Sequence, residues 1–266
     1  MLFDVMNQND SPEYLERKRF FDSLLTIFGR KPVLEALQDN SVDLHRLHLA
    51  KSNRNDGIVE EIIQLANARG AEIVYHDRQG LSRISKNAKQ DQGVAADLIC
   101  QAYGNYKDFL ANPPRSNYQL LAVDSITNPQ NLGMIIRSVC AGFVDGLIIP
   151  EKGCAKLDAL VIKASTGTLF RTRILRCKQL HRCLEDFRQN DQHPADVYGL
   201  SSHANAQLKD VPSDTANIFV LGNETHGVSD VVSERCNKML AIPMNNQVES
   251  LNVAVTASLI AFRGQI

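Results

Sequence analysis

The chain has no apolar run approaching the ~20 residues a membrane-spanning helix needs. Its first residues (Met1-Leu2-Phe3-Asp4-Val5) lack a basic stretch leading into a sustained apolar one, so neither a membrane span nor a secretory leader is expected. It also lacks a surplus of charge: 29 Lys and Arg against 30 Asp and Glu leave a formal net charge of −1. Chains that bind polyanions are usually basic overall, so a nucleic-acid contact here has to come from local clusters. Arg171, Arg173 and Arg176, or Arg30 and Lys31, are examples. Cysteine is sparse, and the six present (Cys100, Cys140, Cys154, Cys177, Cys183 and Cys236) form no C-x-x-C pair. They sit in periodic, apolar-flanked segments, which predicts buried free thiols in a reducing compartment, the cytoplasm. A disulfide framework or a metal site is not expected.

What is present suffices for real cores: 44% of 266 residues are hydrophobic, enough for one large domain or two modest ones. Residues 1–26 begin polar and then offer Tyr14, Phe21, Leu24 and Leu25 along one side of a short helix, with Ser11 as N-cap and Pro12 at its first position. The basic triplet Arg17-Lys18-Arg19 reads as a solvated face of that extension, with an RNA contact as the alternative. Over 27–102 the pattern alternates. A helix is predicted at Val33 to Leu37, a strand at Leu44 to Ala50, and an amphipathic helix at Ile58 to Ala68. A strand at Glu72 to Tyr75, a short helix at Leu81 to Ile84 and a strand at Val94 to Ile99 follow. Residues 103–118, with Gly104, Asn112, Pro113, Pro114, Ser116 and Asn117, read as a linker. Beyond it, strands near 119–124, 145–149, 171–175, 196–200, 217–221 and 238–242 alternate with helices near 131–142, 156–164, 178–189, 229–236 and 251–263. That alternation predicts an α/β domain over 119–266, a mostly parallel sheet with helices on both faces.

Three blocks stand where such a sheet presents its sites, after strands. Asn128-Pro129-Gln130-Asn131-Leu132-Gly133-Met134-Ile135-Ile136-Arg137 follows the strand at Leu120 to Asp124 and opens a helix. Leu221-Gly222-Asn223-Glu224-Thr225-His226-Gly227-Val228-Ser229 follows the apolar Ile218-Phe219-Val220. Ile242-Pro243-Met244-Asn245-Asn246-Gln247-Val248-Glu249-Ser250-Leu251-Asn252 runs into the helix from Val253 to Phe262.

In order and spacing these blocks resemble the signature motifs of the SpoU (TrmH) family of RNA ribose 2′-O-methyltransferases, the SPOUT class. The family patterns are N-P-x-N-x-G-x-x-x-R, G-[SN]-E-x-x-G-[LIV]-S and I-P-M-x-G-x-V-x-S-L-N. Lys163-Ala164-Ser165-Thr166-Gly167 also looks like the family's K-x-S-x-G, and the likeness runs from Gln119 to Arg263. The 27–102 segment is similar to the small α/β/α substrate-binding domain preceding the catalytic domain in many ribosomal-RNA members. The match is best at Gly29-Arg30-Lys31-Pro32-Val33-Leu34-Glu35-Ala36-Leu37 and Gln92-Gly93-Val94-Ala95-Ala96.

The resemblance implies a deep trefoil knot in the last third of the chain, a homodimer whose active sites draw on both subunits, and S-adenosyl-L-methionine as cofactor. It implies RNA as substrate, ribosomal RNA being favoured because stand-alone tRNA members often lack the first domain. By position, Leu221, Gly222, Asn223, Gly227, Ile242, Met244 and Leu251 match cofactor-contacting residues, although Ile242 and Leu251 are equally fitted to core packing. Asn131, Arg137, Glu224, Ser250 and Asn252 match active-site positions, and Arg30, Lys31, Asn131 and Arg137 are expected to meet the RNA. The dimer contact is expected along Leu251 to Phe262, whose apolar breadth exceeds one stripe.

Those residue types suit the chemistry. Methyl transfer to a 2′-hydroxyl is an in-line displacement needing the attacking oxygen ~3 Å from the methyl, and a neutral alcohol is a poor nucleophile. A guanidinium has a pKa above ~12 and is a poor base. Arg137 is therefore expected to stabilise the developing alkoxide or a nearby phosphate electrostatically. Asn131, Ser250 and Asn252 would orient ribose and arginine, and Glu224 would either hold Arg137 or cap the helix near Ser229. Thr225 and His226 fall at variable positions. Asn246 stands where the third pattern has glycine; asparagine tolerates a positive φ, so the turn is expected to survive with a slightly altered pocket. Two other readings stay open: a non-catalytic RNA-binding or ribosome-assembly factor on the same fold, which Asn246 favours, and a tRNA methyltransferase. A nicotinamide-dependent enzyme is disfavoured because no G-x-G-x-x-G follows any predicted strand.

Overall fold

The apolar runs pair into two sheets in the computed structural model, which describes Glu13, Phe20, Phe21 and residues 24–40, 42–54, 56–100, 103–263 and 265. The smaller sheet contains β1 (Leu24–Phe28), β2 (Asp43–Ala50), β3 (Glu72–His76) and β4 (Val94–Ile99), ordered β1-β4-β2-β3. Strand β4 runs antiparallel to β1 and β2, and β3 runs parallel to β2. Helices α1 (Arg30–Gln38) and α2 (Gly57–Ala68) bury Val33, Leu37, Val59 and Ile62 against one face. The shorter α3 (Arg78–Ser85) covers Ala50 and Ala95 on the other through Leu81 and Ile84.

The sequence reads Leu24 and Leu25 as part of a helix, whereas both belong to β1. Pairing with β4, seventy-odd residues downstream, buries Leu25 and Ile27 alternately, and local pattern cannot register so distant a partner. Ser11, Pro12 and the Arg17-Lys18-Arg19 triplet lie outside the described residues.

A polar row crosses the α3 face with one residue from each strand. Thr26 Oγ1 donates to Asp97 Oδ1 (2.6 Å), His48 Nε2 meets Asp97 Oδ2 (2.9 Å), and His48 Nδ1 meets His76 Nε2 (2.9 Å). Burial works to raise the Asp97 carboxyl, yet hydrogen bonds from His48 and Thr26 hold it below the usual carboxylate range. Burial, and then His48, push the His76 imidazole down.

The larger sheet has eight strands, all parallel: β5 (Tyr103–Asn105), β6 (Gln119–Val123), β7 (Gly146–Pro150), β8 (Ile174–Cys177), β9 (Asp196–Leu200), β10 (Ala206–Gln207), β11 (Asn217–Leu221) and β12 (Lys238–Ala241). Their order is β10-β12-β9-β11-β6-β7-β8-β5, so β11 inserts between strands laid down earlier. Strand β5 and helix α4 (Tyr106–Ala111) occupy the stretch read as a linker, and β5 closes the sheet edge beside β8. One face is covered by α5 (Pro129–Ala141), α6 (Ala159–Ala164) and α9 (Val253–Ala261), the other by α4, α7 (Leu180–Arg188) and α8 (Asp230–Ser233).

Helix α5 starts where the sequence says it should. Asn128 Oδ1 accepts from the N–H groups of Gln130 (2.8 Å) and Asn131 (3.4 Å), and Pro129 takes the first helical position. Gly133 has a packing reason: a Cβ there would lie 2.8 Å from Val161 O of α6 and 2.9 Å from the N of Ser165, which caps it. Helix α9 is alanine-rich where it meets α5, and Ser138 and Ser258 hydroxyls join across the contact (2.8 Å). Of the cysteines, Cys100, Cys177 and Cys183 are buried as expected, while Cys140, Cys154 and Cys236 are half-buried and unpaired. Burial pushes the Cys100 thiol up to about 12 and those of Cys154 and Cys236 up to about 11, so these three stay protonated near neutrality.

Because the α5–α6 contact has no room for a methyl, Gly133→Ala is expected to cost about 1–3 kcal/mol, measured by denaturant unfolding with the wild-type slope retained.

Candidate active site

Three loops leave the carboxyl ends of neighbouring strands β9, β11 and β12, where parallel sheets build sites. They wall a cleft of about 970 Å³, reaching from Leu200 to Asn205, from Leu221 to Val228 and from Met239 through Leu251. Every residue expected at a cofactor site (Leu221, Gly222, Asn223, Gly227, Ile242, Met244 and Leu251) lines it, as do Glu224 and Ser250.

The second block folds back on itself. Asn223 and Gly227 exchange both backbone hydrogen bonds (2.9 and 2.8 Å), leaving Glu224, Thr225 and His226 at an exposed tip. Gly222 must lack a side chain, since a Cβ would run into the backbone of Gly227 and Val228. The Asn223 side chain is occupied: Oδ1 accepts from the Thr225 N–H (2.8 Å) and Nδ2 donates to Ser125 O (3.0 Å). With its main-chain N–H and C=O also paired to Gly227, Asn223 holds the hairpin in shape.

Asp124, buried at the end of β6, fixes this hairpin to the first block. Its Oδ2 accepts from the Ser229 N–H (2.8 Å), Oδ1 accepts from the Ser125 hydroxyl (3.2 Å), and its N–H donates to Leu221 O (2.8 Å). Ser125 takes the left-handed conformation (φ 61°) to make the turn. Sequence reading passed over Asp124 as a strand residue. It also missed the β9–β10 loop Ser201-Ser202-His203-Ala204-Asn205, whose only advance signal was its place after a predicted strand.

The third block turns at 245–248. Asn246 (φ 55°) and Gln247 (φ 60°) are both left-handed, and the Val248 N–H donates to Asn245 O (3.2 Å), the geometry of a type I′ turn. Asparagine thus replaces the glycine of the pattern without losing the turn.

All three blocks meet in one polar contact. Asn131 Nδ2 donates to Glu224 Oε1, and Asn252 Nδ2 donates to Asn131 Oδ1 (3.2 Å). Asn252 Oδ1 meanwhile caps α9 at the Ala254 N–H (2.9 Å). Glu224 therefore neither holds Arg137 nor caps the helix at Ser229, as the sequence suggested; Asn131 takes it, and Asp124 takes Ser229.

Arg137 is not part of this cluster. It lies six residues along α5 from Asn131, ~9 Å by helical rise. It is exposed, and it has no hydrogen-bond or ion-pair partner among the described residues. With Gln130, Met134 and Ala141 it forms an exposed stripe of α5, and Val255 and Leu259 are exposed on the adjoining α9. The remaining RNA candidates sit on the small sheet's side. Arg30 Nε donates to Gln92 O (3.2 Å) and its guanidinium reaches Asn53 Oδ1 (3.3 Å), while Lys31 is exposed beside a second cleft.

The charges decide what the main cleft can take. Its titratable lining is Glu224, Glu249, His203 and His226, with no lysine or arginine among the described residues. A phosphate-rich ligand finds no counter-charge there; a ligand carrying positive charge does.

Superposition matches the fold of a SpoU methyltransferase, AviRb from Streptomyces viridochromogenes (TM-score 0.60, 22% identity, 94% of this chain and 90% of that one). An AdoMet-bound rRNA methyltransferase from Sinorhizobium meliloti shares it too (TM-score 0.57, 19% identity, 95% and 89%). A mycobacterial relative, described as an uncharacterized tRNA/rRNA methyltransferase of Mycolicibacterium gilvum, is 31% identical over 92% of this chain and 77% of its own length. A second, from Mycobacterium bovis, is 32% identical over 90% and 73%. Residues 119–262 match the SpoU rRNA Methylase family, and residues 26–100 match the RNA 2′-O ribose methyltransferase substrate-binding domain. The chain belongs to the SpoU family of RNA methyltransferases.

Removing the buried acceptor with Asp124→Ala strands the Ser229 N–H. A loss of about 1–3 kcal/mol is expected, with faster amide hydrogen exchange concentrated in 222–229; unchanged exchange there would show that the hairpin does not depend on Asp124.

Proposed function

We propose that this protein is a cytoplasmic homodimer that methylates ribose 2′-hydroxyls of ribosomal RNA with S-adenosylmethionine. The supporting observation is the mutual contact of Asn131, Glu224 and Asn252, one from each block, beside a cleft with no lysine or arginine among the described residues. The cofactor fits that cleft on three counts. The volume is within the ~300–1,000 Å³ of small-molecule sites; Gly227 borders open space and leaves the hairpin open to approach; and Glu224 and Glu249 suit a cationic ligand. Leu221, Gly222, Gly227, Ile242, Met244 and Leu251 would hold it, with Asn223 keeping the hairpin in shape beside it. When bound, S-adenosylmethionine supplies an electrophilic methyl group on a sulfonium.

The chain's own residues do the rest. Both ends of the Asn131 amide are held, so its second N–H has one direction in which to meet a ribose oxygen. The free oxygen of Glu224 is the acceptor available to the hydroxyl proton, and Ser250 lines the same wall. Arg137 stabilises negative charge developing on the oxygen or a flanking phosphate. It does so across the dimer: it shares an exposed face with Met134, Val255 and Leu259, so pairing two copies through that face carries each guanidinium to the partner's cleft. The trefoil knot belongs to the same reading, as does a division into a 1–26 extension, a 27–102 RNA-capturing domain, a 103–118 connection and a 119–266 catalytic domain. The presence of a separate first domain leans toward ribosomal over transfer RNA, because stand-alone tRNA members often lack it. Asn246, the residue that favours a non-catalytic factor, forms its turn all the same.

Purified protein with tritiated cofactor is expected to label ribose in total rRNA and not in tRNA, and Arg137→Ala to lose about 10²–10³-fold. Label on bases, or on tRNA alone, would refute the assignment in the corresponding part. Mixing inactive Arg137→Ala with inactive Asn252→Ala subunits is expected to restore roughly a quarter of the activity if sites are shared between protomers; no recovery means that Arg137 acts within its own chain.

A further inference from the structure

A second cleft, of about 660 Å³, opens where the small sheet's domain meets the large one. Ile27, Pro32, Ile149, Pro150 and Leu157 make its apolar walls, contributed by both domains. Two features distinguish it from a packing gap. The Arg176 guanidinium lies 4.6 Å from the centre of the Tyr103 ring, an extended flat surface at the cleft wall. From the smaller domain, Asn87 Nδ2 donates to Gln90 Oε1 (2.7 Å) at the cleft, an amide pair with donors and acceptors to spare.

Its charges balance, Lys31, Lys156 and Arg176 against Glu35, Glu151 and Asp158. Asp158 is further engaged in capping α6 through the Leu160 and Val161 N–H groups. A balanced, apolar, flat-walled cleft with amides is unsuited to a run of phosphates and suited to a neutral aromatic ring with hydrogen-bonding edges. That is the chemistry of an unstacked nucleobase.

Its position argues the same way. The cleft adjoins the carboxyl end of β7, on the edge of the sheet where the motif loops leave β9, β11 and β12. With strands ~4.8 Å apart, β11 is roughly 10 Å from β7, and β9 roughly 19 Å from β8. A strand of RNA held by the 26–100 domain and reacting at the motif loops has to cross this junction, a span of a few nucleotides.

We propose that the interdomain cleft receives an unpaired base of the RNA substrate, a few nucleotides from the methylated ribose. The base would stack at the Arg176–Tyr103 surface and be read by Asn87 and Gln90. This placement rests on RNA being the substrate of the motif site. It makes the small domain a reader of sequence next to the target as well as an anchor.

The test uses the full-length protein and single-stranded rRNA fragments carrying 4-thiouridine, irradiated and mapped by mass spectrometry. Crosslinks are expected in peptides spanning 24–35 and 149–157. Leu157→Trp, which fills the cleft, and Gln90→Ala are each expected to raise the KM for RNA about 10-fold, the scale of one lost stacked base. The Kd for S-adenosylmethionine should stay within about two-fold, which also shows that each variant is folded. Crosslinks confined to other surfaces, with KM unmoved in both variants and methylation normal, would overturn the cleft assignment alone. No crosslink anywhere, together with no methyl transfer, would overturn the RNA-methylation reading and this placement with it.

Discussion

Strand β11 lies between β9 and β6, hydrogen-bonded to both and buried along its whole length. That insertion is what the site depends on. It sets the Gly222–Gly227 hairpin directly beside the turn that follows β6, close enough for the Asp124 carboxylate and the Ser125 carbonyl to take the hairpin's donors. Had β11 been added at the sheet edge, the first and second blocks would stand apart and Asn131 would have no Glu224 to meet.

The site that results is polar but almost without cations. Two carboxylates, two imidazoles, several amides and exposed main chain face the main cleft, and the Arg137 guanidinium stands outside it on α5. Such a distribution separates tasks. In the proposed reading, one surface accepts a positively charged cofactor, and Arg137 would be brought to the reacting oxygen from a face that pairing of two copies would cover. Apolar Met134, Val255 and Leu259 on that face would otherwise be left in water.

Much of the architecture was legible because it is periodic. Runs such as Leu120 to Val123 and Asn217 to Leu221 are buried on both faces, as parallel strands are, and Asn128-Pro129 announces the start of α5 by capping chemistry alone. Short elements were illegible for the opposite reason. Strands β5 and β10, three and two residues long, exist only because a neighbour is already in place to hydrogen-bond to them. The same holds for β1, whose leucines fit a helix as well as a strand until β4 lies alongside. Asp124 looked like the polar end of a strand, and its part in holding the second block emerges only once Ser229, far along the chain, is beside it.

The sequence by itself determined the residue types, the order of the blocks and their place after strands, because capping, turn and pairing preferences act over a few residues. It determined that Asn246 could turn the chain, since asparagine adopts left-handed backbone readily. Only the tertiary structure decided that Glu224 binds Asn131 rather than Arg137, that Gly133 serves helix packing, and that Arg137 faces outward. Those outcomes hang on contacts between residues about thirty to about ninety positions apart, or on which helix face is left uncovered, and no local preference encodes them.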